Sequence, residues 1–404
     1  MAKINLMVKR LVAVLLLSIA YSTGIFFSRI LKKLRSRRAL RKRIIINGTF
    51  HNPNWFFAHI EPIANSNYGE VILVCDEPIQ ELPNLKYSCP PPWLGKLISR
   101  ALAKFIYTLA NGIRYPADIY VGYHIFPSAL TAIICARLLG AKCCYQVTSG
   151  QLELEGGGWN SENKLLTMLG SPSSFVEGLA HRLTNEFDLV IVRGTGARDY
   201  LLRAGVDAKI EIVTGSVVTD AGSLDAVRDI DIIFVGRLTE YKRPDIFLEI
   251  VSKVIVKLPH CCVRIVGDGP EFKLLENMVV KEGIAENVRL LGKRSDVPDL
   301  LRRSKLLVMT SRWEGVSIAM LESMALGVVP VVSDVGDLRD YVVDDLTGYV
   351  LDKDDVAGYV EKIEYLLTRP EIRNRMSGAC HAKVDKTSSK RVVKQKWFDL
   401  FSEI

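Results

Sequence analysis

The sequence predicts an α/β protein of two doubly wound, Rossmann-like domains, an expectation that rests on three observations. Short β-branched runs alternate with longer amphipathic stretches, first from Arg43 to about residue 217 and again from Asp229 onward. Such βα alternation gives parallel sheets covered by helices on both faces. At 404 residues the chain exceeds what one core usually serves, and its 49% hydrophobic content is enough for two. The expected division is residues 1–43, an N-terminal appendage; 44–217, the first domain; 218–385, the second; and 386–404, a closing helix.

The charge is lopsided. The first 43 residues hold 12 of the 53 Lys and Arg residues and none of the 45 acids, so the net charge of +8 belongs to that segment and the body is mildly acidic. A nucleic-acid partner is therefore not expected. Leu11 to Ser28 is an 18-residue uncharged run, about 27 Å as a helix, which just reaches across a bilayer core. Nine basic residues follow within a short reach, from Arg29 to Arg43, against three before it. This bias predicts a membrane-anchor helix, single-pass or monotopic, with the body on the cytoplasmic side and the basic cluster against anionic headgroups. A cleaved secretory signal is the competing reading. The eight cysteines form no CxxC and no Cys/His zinc spacing, so they read as core residues of a reduced compartment, with no metal site expected.

In a parallel sheet ligands collect at the carboxyl ends of strands. In the first domain that draws attention to three loops: Asn47 to Asn54, Gly122 to Pro127 and Thr148 to Trp159. His124 ends the strand ADIYVGYH, where it could handle a proton or bind a hydroxyl, or simply close the strand. Glu153 and Glu155 precede Gly156 to Gly158, which either admit a ligand to the backbone or form a flexible surface connection.

In the second domain the strand DIDIIFVGRL runs directly into TEYKRP. Gly236 lets the backbone come close, and Arg237 and Lys242 place two cations at one strand mouth, a pairing suited to a diphosphate. Further on, WEGVSIAMLESMALGVVP predicts a helix capped by Ser317 and ended by Gly327. Glu314 then lies in the loop before the helix and Glu322 inside it. A helix start that favours phosphates, flanked by carboxylates that accept sugar hydroxyls, is a seat for a phosphate-bearing sugar.

The series VGRLTEYKRPD, IVGDGPE, NVRLLGK and EGVSIAMLESMALGVVPVVS, in this order, resembles the donor half of a retaining glycosyltransferase of the GT-B fold, family four (group 1), over nearly all of residues 229–350. The resemblance implies two Rossmann-like domains facing a cleft, with residues 44–217 on the acceptor side and 218–385 binding the nucleotide sugar. It implies that Arg237 and Lys242 neutralise the donor diphosphate, that Glu322 holds the ribose, and that Glu314 contacts the transferred sugar. Gly236, Gly267, Gly315, Val316 and Ser317 complete the donor seat, while Val288 and Leu290, in the Asn287 to Gly292 stretch, would lie beside the base. His124 stands where such enzymes often carry a histidine near the reacting sugar. The closing helix would cross back onto the first domain. One departure is that INGTFHNPNW supplies only Gly48 where the family carries a glycine-rich loop.

The expected activity is transfer of a sugar, with retention, from a nucleotide-diphosphate sugar to a glycan or lipid-linked acceptor hydroxyl at a membrane. Neither a cofactor nor a metal ion is expected, because two side-chain cations carry the phosphate charge. A nucleotide-sugar epimerase on the same fold, or a non-catalytic sugar-nucleotide-binding subunit, would carry much the same residues.

Overall fold

The computed structural model describes residues 2–31, 42–50, 53–161, 163–219, 224 and 226–404. Six of the basic residues expected to follow the apolar run, Lys32, Lys33, Arg35, Arg37, Arg38 and Arg41, lie outside the described residues. The chain divides into two compact units, Met1–Thr214 with Val393–Ile404, and Gly215–Val392.

The first unit is built on seven parallel strands: β1 (Arg43–Asn47), β2 (Glu70–Val74), β3 (Leu85–Tyr87), β4 (Ile119–Tyr123), β5 (Lys142–Gln146), β6 (Leu189–Val192) and β7 (Ile210–Ile212), in the order β3-β2-β1-β4-β5-β6-β7. Alternate side chains of each strand go to opposite faces. Ile45, Tyr120, Tyr145 and Val190 enter one core, and Ile44, Ile46, Val121 and Ile191 enter the other. The helices of the unit are α1 (Ala2–Leu31), α2 (Pro53–His59), α3 (Glu61–Ala64), α4 (Pro92–Ile98), α5 (Arg100–Arg114), α6 (Leu130–Leu139), α7 (Lys164–Thr167), α8 (Ser174–Thr184) and α9 (Thr195–Arg203). Helices α5, α6, α8 and α9 cover the first core, and α2 and α3 the second. Helix α1 is no free-standing appendage: Ala13, Leu17 and Tyr21 are fully buried against α6 and α8. Its sequence could not show this, because a run that is apolar on every side has no periodicity to mark the stripe that packs.

The second unit has six parallel strands: β8 (Ile230–Val235), β9 (Val263–Val266), β10 (Val288–Leu290), β11 (Ser304–Met309), β12 (Val329–Ser333) and β13 (Tyr349–Leu351), in the order β10-β9-β8-β11-β12-β13. Of its helices, α10 (Pro244–Lys257) and α11 (Phe272–Lys281) cover one face and α12 (Val297–Arg302) and α13 (Ile318–Ala325) the other. Helix α14 (Val356–Thr368) joins the first pair, and α15 (Pro370–Ser388) adds Met376 to one core and Cys380 and Val384 to the other. In both sheets the strand order reverses beside the first strand, the switch point at which doubly wound sheets bind ligands.

The last helix, α16 (Lys390–Glu403), puts Val393, Trp397, Leu400 and Phe401 into the second core of the first unit. Val393–Ile404 belong to the first unit. Trp397 is 1% exposed, and its ring lies tilted against that of Phe401 with centroids 5.0 Å apart. We expect Trp397→Ala to destabilise the first unit by about 3–5 kcal/mol, and the exposed Lys396→Ala by less than about 0.5 kcal/mol. Chemical denaturation of the two variants makes the comparison.

Candidate active site

The end of β8 leads through Gly236 and the exposed Arg237 into a short turn, Glu240–Lys242, after which Arg243 adopts φ 48° and Pro244 opens α10. This turn is fastened to the end of β11. The Thr310 hydroxyl donates to the Lys242 and Arg243 carbonyls at 3.2 and 2.8 Å, and the Arg312 amide donates to the Tyr241 carbonyl at 2.8 Å. The Lys242 ammonium is thereby brought onto Glu314 Oε1 as an ion pair. Ser311 Oγ donates to the same oxygen at 2.7 Å. The Glu314 side chain is 9% exposed and that of Lys242 24%, so the pair is well shielded from water. Two groups that the sequence assigns to different parts of a donor are in contact here and neutralise each other.

Backbone packing sets this geometry. Gly267 has φ 146°, and a Cβ there would lie 1.8 Å from the Gly236 carbonyl oxygen; at Gly269 it would meet that of Leu238 at 2.3 Å. The turn after β9 therefore lies directly on the chain leaving β8, a close approach open only to glycine. Gly236 itself has space around it, since a Cβ there would meet nothing nearer than the Phe234 ring at 3.7 Å, and Gly315 is open as well. Gly336, at φ 58°, presses on Glu314: a Cβ would stand 1.8 Å from its carbonyl oxygen. Nothing in the local sequence singles out Gly336, Thr310 or Ser311, whose importance comes from what lies across from them.

Ser317 caps α13, its hydroxyl accepting from the Met320 amide at 3.4 Å. Glu322 lies on the helix, and its carboxylate has no hydrogen-bond partner among the described residues. Burial pushes its carboxyl up to about 7. Three residues of the expected donor set lie in or against the cores. Val316 and Val288 are 2% and 3% exposed and belong to the hydrophobic cores, while Leu290 packs against one of them. The Val316 and Val288 side chains are committed to the cores, while Leu290 is only partly buried.

His124 lies in the first unit, just after β4, with φ 67°. Its Nδ1 is 2.5 Å from Thr148 Oγ1 and 3.5 Å from Glu153 Oε2. The Thr148 hydroxyl proton is directed at Glu153 Oε2, 2.8 Å away, so Nδ1–H of His124 is the donor to Thr148. Glu153 is 1% exposed and also accepts from the Ile125 amide at 2.6 Å, Tyr145 Oη at 2.7 Å, and the Thr148 and Ser149 amides at 2.7 and 3.2 Å. Burial alone would raise its carboxyl, but the neighbouring His124 and these hydrogen bonds outweigh burial and hold it at about 2. The loop is therefore a buried cage around a carboxylate. Its glycines serve packing: a Cβ at Gly158 would lie 2.6 Å from the Glu153 carbonyl oxygen and one at Gly157 would lie 2.9 Å from Val176.

Glu153 and Glu322 depart from the ordinary carboxyl value in opposite directions, so they make opposite contributions to stability. Glu153, depressed, adds stability that is complete above about pH 4.5 and is lost as pH falls toward 2. Glu322, raised, subtracts stability as pH climbs from about 4.5 through 7. We expect Glu322→Gln to raise stability at pH 8 by on the order of 1–3 kcal/mol relative to its effect at pH 4.5. Glu153→Gln should cost stability at pH 7, with the difference narrowing toward pH 3. Urea denaturation across this pH range reads both, and a pH-independent difference for either variant would contradict the assignment.

Residues 221–380 match the family of glycosyl transferases group 1. A UDP-Gal:alpha-D-GlcNAc-diphosphoundecaprenol alpha-1,3-galactosyltransferase of Escherichia coli is 29% identical over 153 residues, 37% of this chain and 39% of that protein. An N-acetyl-alpha-D-glucosaminyl L-malate synthase of Bacillus anthracis is 24% identical over 289 residues, 69% of this chain and 73% of that protein. The chain thus spans about two fifths of the length of the first of these relatives. The crystal structure of Anabaena Alr3699/HepE in complex with UDP superposes with a TM-score of 0.71 at 15% identity, covering 90% of this chain and 100% of that one. From the motif series along β8 to β12 through the two doubly wound sheets to this match, the conclusion is that the second unit matches the family of glycosyl transferases group 1 and that the chain has the GT-B fold.

Proposed function

We propose that the protein is a retaining glycosyltransferase that moves a sugar from a nucleotide-diphosphate sugar to an acceptor hydroxyl of a glycan or lipid-linked glycan at the cytoplasmic face of a membrane. The observation that carries the reading is the cluster on the group 1 domain: Arg237 and Lys242 at the mouth of β8, Glu314 paired with Lys242, and an unpartnered Glu322 on α13. A diphosphate is attracted by the two cations and draws Lys242 away from Glu314. Freed of its partner, Glu314 is then available to the transferred sugar, while Glu322 accepts ribose hydroxyls and loses its desolvation penalty in doing so. The glycosidic bond to the phosphate breaks, the acceptor oxygen bonds the same carbon from the same face, and the acceptor proton passes to the departing phosphate. The residues act by position and electrostatics. Side-chain cations suffice for the phosphate charge in this reading, so no metal ion is required. The relatives whose names include a diphosphoundecaprenol acceptor or lipopolysaccharide core support an acceptor of the lipid-linked class. A screen of nucleotide sugars for release of free nucleoside diphosphate tests the reading, and NMR of the product's anomeric configuration tests retention. Absence of release with every donor, in the presence of a range of lipid-linked acceptors, would overturn it.

Arg237→Ala and Lys242→Ala should each lower kcat/KM by at least about 30-fold, near 2 kcal/mol of transition-state stabilisation. They differ in folding: Lys242→Ala leaves the shielded Glu314 without its cation and should lower Tm, whereas Arg237→Ala, at an exposed position, should lower it far less.

Glu322 meets a part of the donor unchanged by the reaction, so Glu322→Gln should raise donor KM more than it lowers kcat. Glu314→Gln should do the reverse, lowering kcat by about a hundredfold. Steady-state kinetics on both variants at saturating acceptor decides, and a swap of the two patterns would reverse the placement of the donor.

A further inference from the structure

Helix α1 is tied along one side to the first unit. Ala13, Leu17 and Tyr21 are fully buried, and a Cβ at Gly24 would come within 2.5 Å of Leu130 and 3.0 Å of Leu183. Near its start Arg10 donates to Ser171 Oγ and, at 3.1 Å, to the Pro172 carbonyl. Near its end Ser28 accepts from the buried Arg137 at 3.2 Å, and Arg29 pairs with Glu186 at 2.8 Å. A helix crossing a bilayer on its own would give up every one of these contacts.

The opposite side of α1 is apolar and open: nine large side chains from Met7 to Ile30 are 42–62% exposed. Helices α4 and α5 add Trp93, Leu97, Leu102, Ile106 and Ile113, at 42–73%. Among the described residues, every strongly exposed large apolar side chain of the first unit lies on α1, α4, α5, α6, α8 or α9. None lies on α2, α3 or α16, which cover the other face of the sheet. An apolar surface so confined to one side is a docking face. Its charge names the occupant, because α1, α4 and α5 hold no acidic residue and present the exposed cations Lys9, Lys96, Arg100 and Arg114, apart from Arg10 and Arg29, which make the contacts above, and Lys104, which is buried against Asp76. Apolar side chains that enter the acyl boundary among cations that meet headgroups are the chemistry of an anionic bilayer.

We propose that the first unit docks monotopically on an anionic lipid bilayer through the outer face of α1 together with α4 and α5, with α1 lying in the plane of the membrane and not crossing it. This rests on the membrane-face reading above and specifies how the contact is made. A cavity lined by Asp76, Pro92, Lys96, Arg100 and Lys104 opens beside α4 and α5, so this mode of docking holds a hollow at the strand ends next to the lipid surface.

The test uses the full chain with one epitope tag at each end, in sealed inverted membrane vesicles whose cytoplasmic face points outward. Docking in the plane leaves both tags on one side, and protease removes both. Protection of the N-terminal tag alone means that α1 crosses and overturns the proposal. Protection of both tags keeps them on one side, as proposed, and sinks only the assignment to the cytoplasmic face. A second measurement is flotation of the purified chain with phosphatidylglycerol–phosphatidylcholine vesicles against phosphatidylcholine alone. Trp93→Glu with Leu97→Glu, checked for native circular dichroism, should weaken binding to the anionic vesicles at least tenfold. Unchanged binding would remove α4 and α5 from the surface, and a stable dimer that ignores vesicles would assign the face to a second copy.

Discussion

The ion pair between Lys242 and Glu314 governs the chemistry available to the second unit. Each member is shielded enough that losing its partner is costly, so neither charge stands idle before a ligand arrives. Under the proposed function, a phosphate that engages Lys242 would have to replace the interaction that Glu314 supplies, which favours a multiply charged anion. In the proposed reaction this pair is what a diphosphate would have to exchange, so that binding of phosphate to Lys242 and release of the Glu314 carboxylate would be one event. Thr310, Ser311 and Gly336 fasten the two chain segments that carry the pair to each other.

The first unit solves a related problem differently. Glu153 is fully enclosed, yet its charge is retained because five donors and the His124 ring surround it. The consequence for His124 is a defined tautomer and a fixed ring, in a residue whose φ of 67° the backbone would not adopt unaided. Glu153, 1% exposed, holds the loop and the His124 ring in place. Glu322 is the counter-case, a partly buried carboxylate with no hydrogen-bond partner among the described residues, so that desolvation raises it unopposed.

The two-unit α/β architecture, the β8 and β12 strands, the Ser317 cap and the place of Arg237, Lys242, Glu314 and Glu322 in loop or helix were all legible in the sequence, because each depends on local periodicity, capping chemistry or chain order. What tertiary structure decided was pairing and burial. The inward direction of Val288 and Val316, the contact of Lys242 with Glu314 across 72 residues, and the demand of Gly267 for a glycine all arise from neighbours distant in sequence. The same holds for α1: composition determined that it is long, apolar and flanked by cations, while its fully buried stripe depends on α6 and α8, and no pattern within residues 2–31 encodes the shape of the groove that receives it.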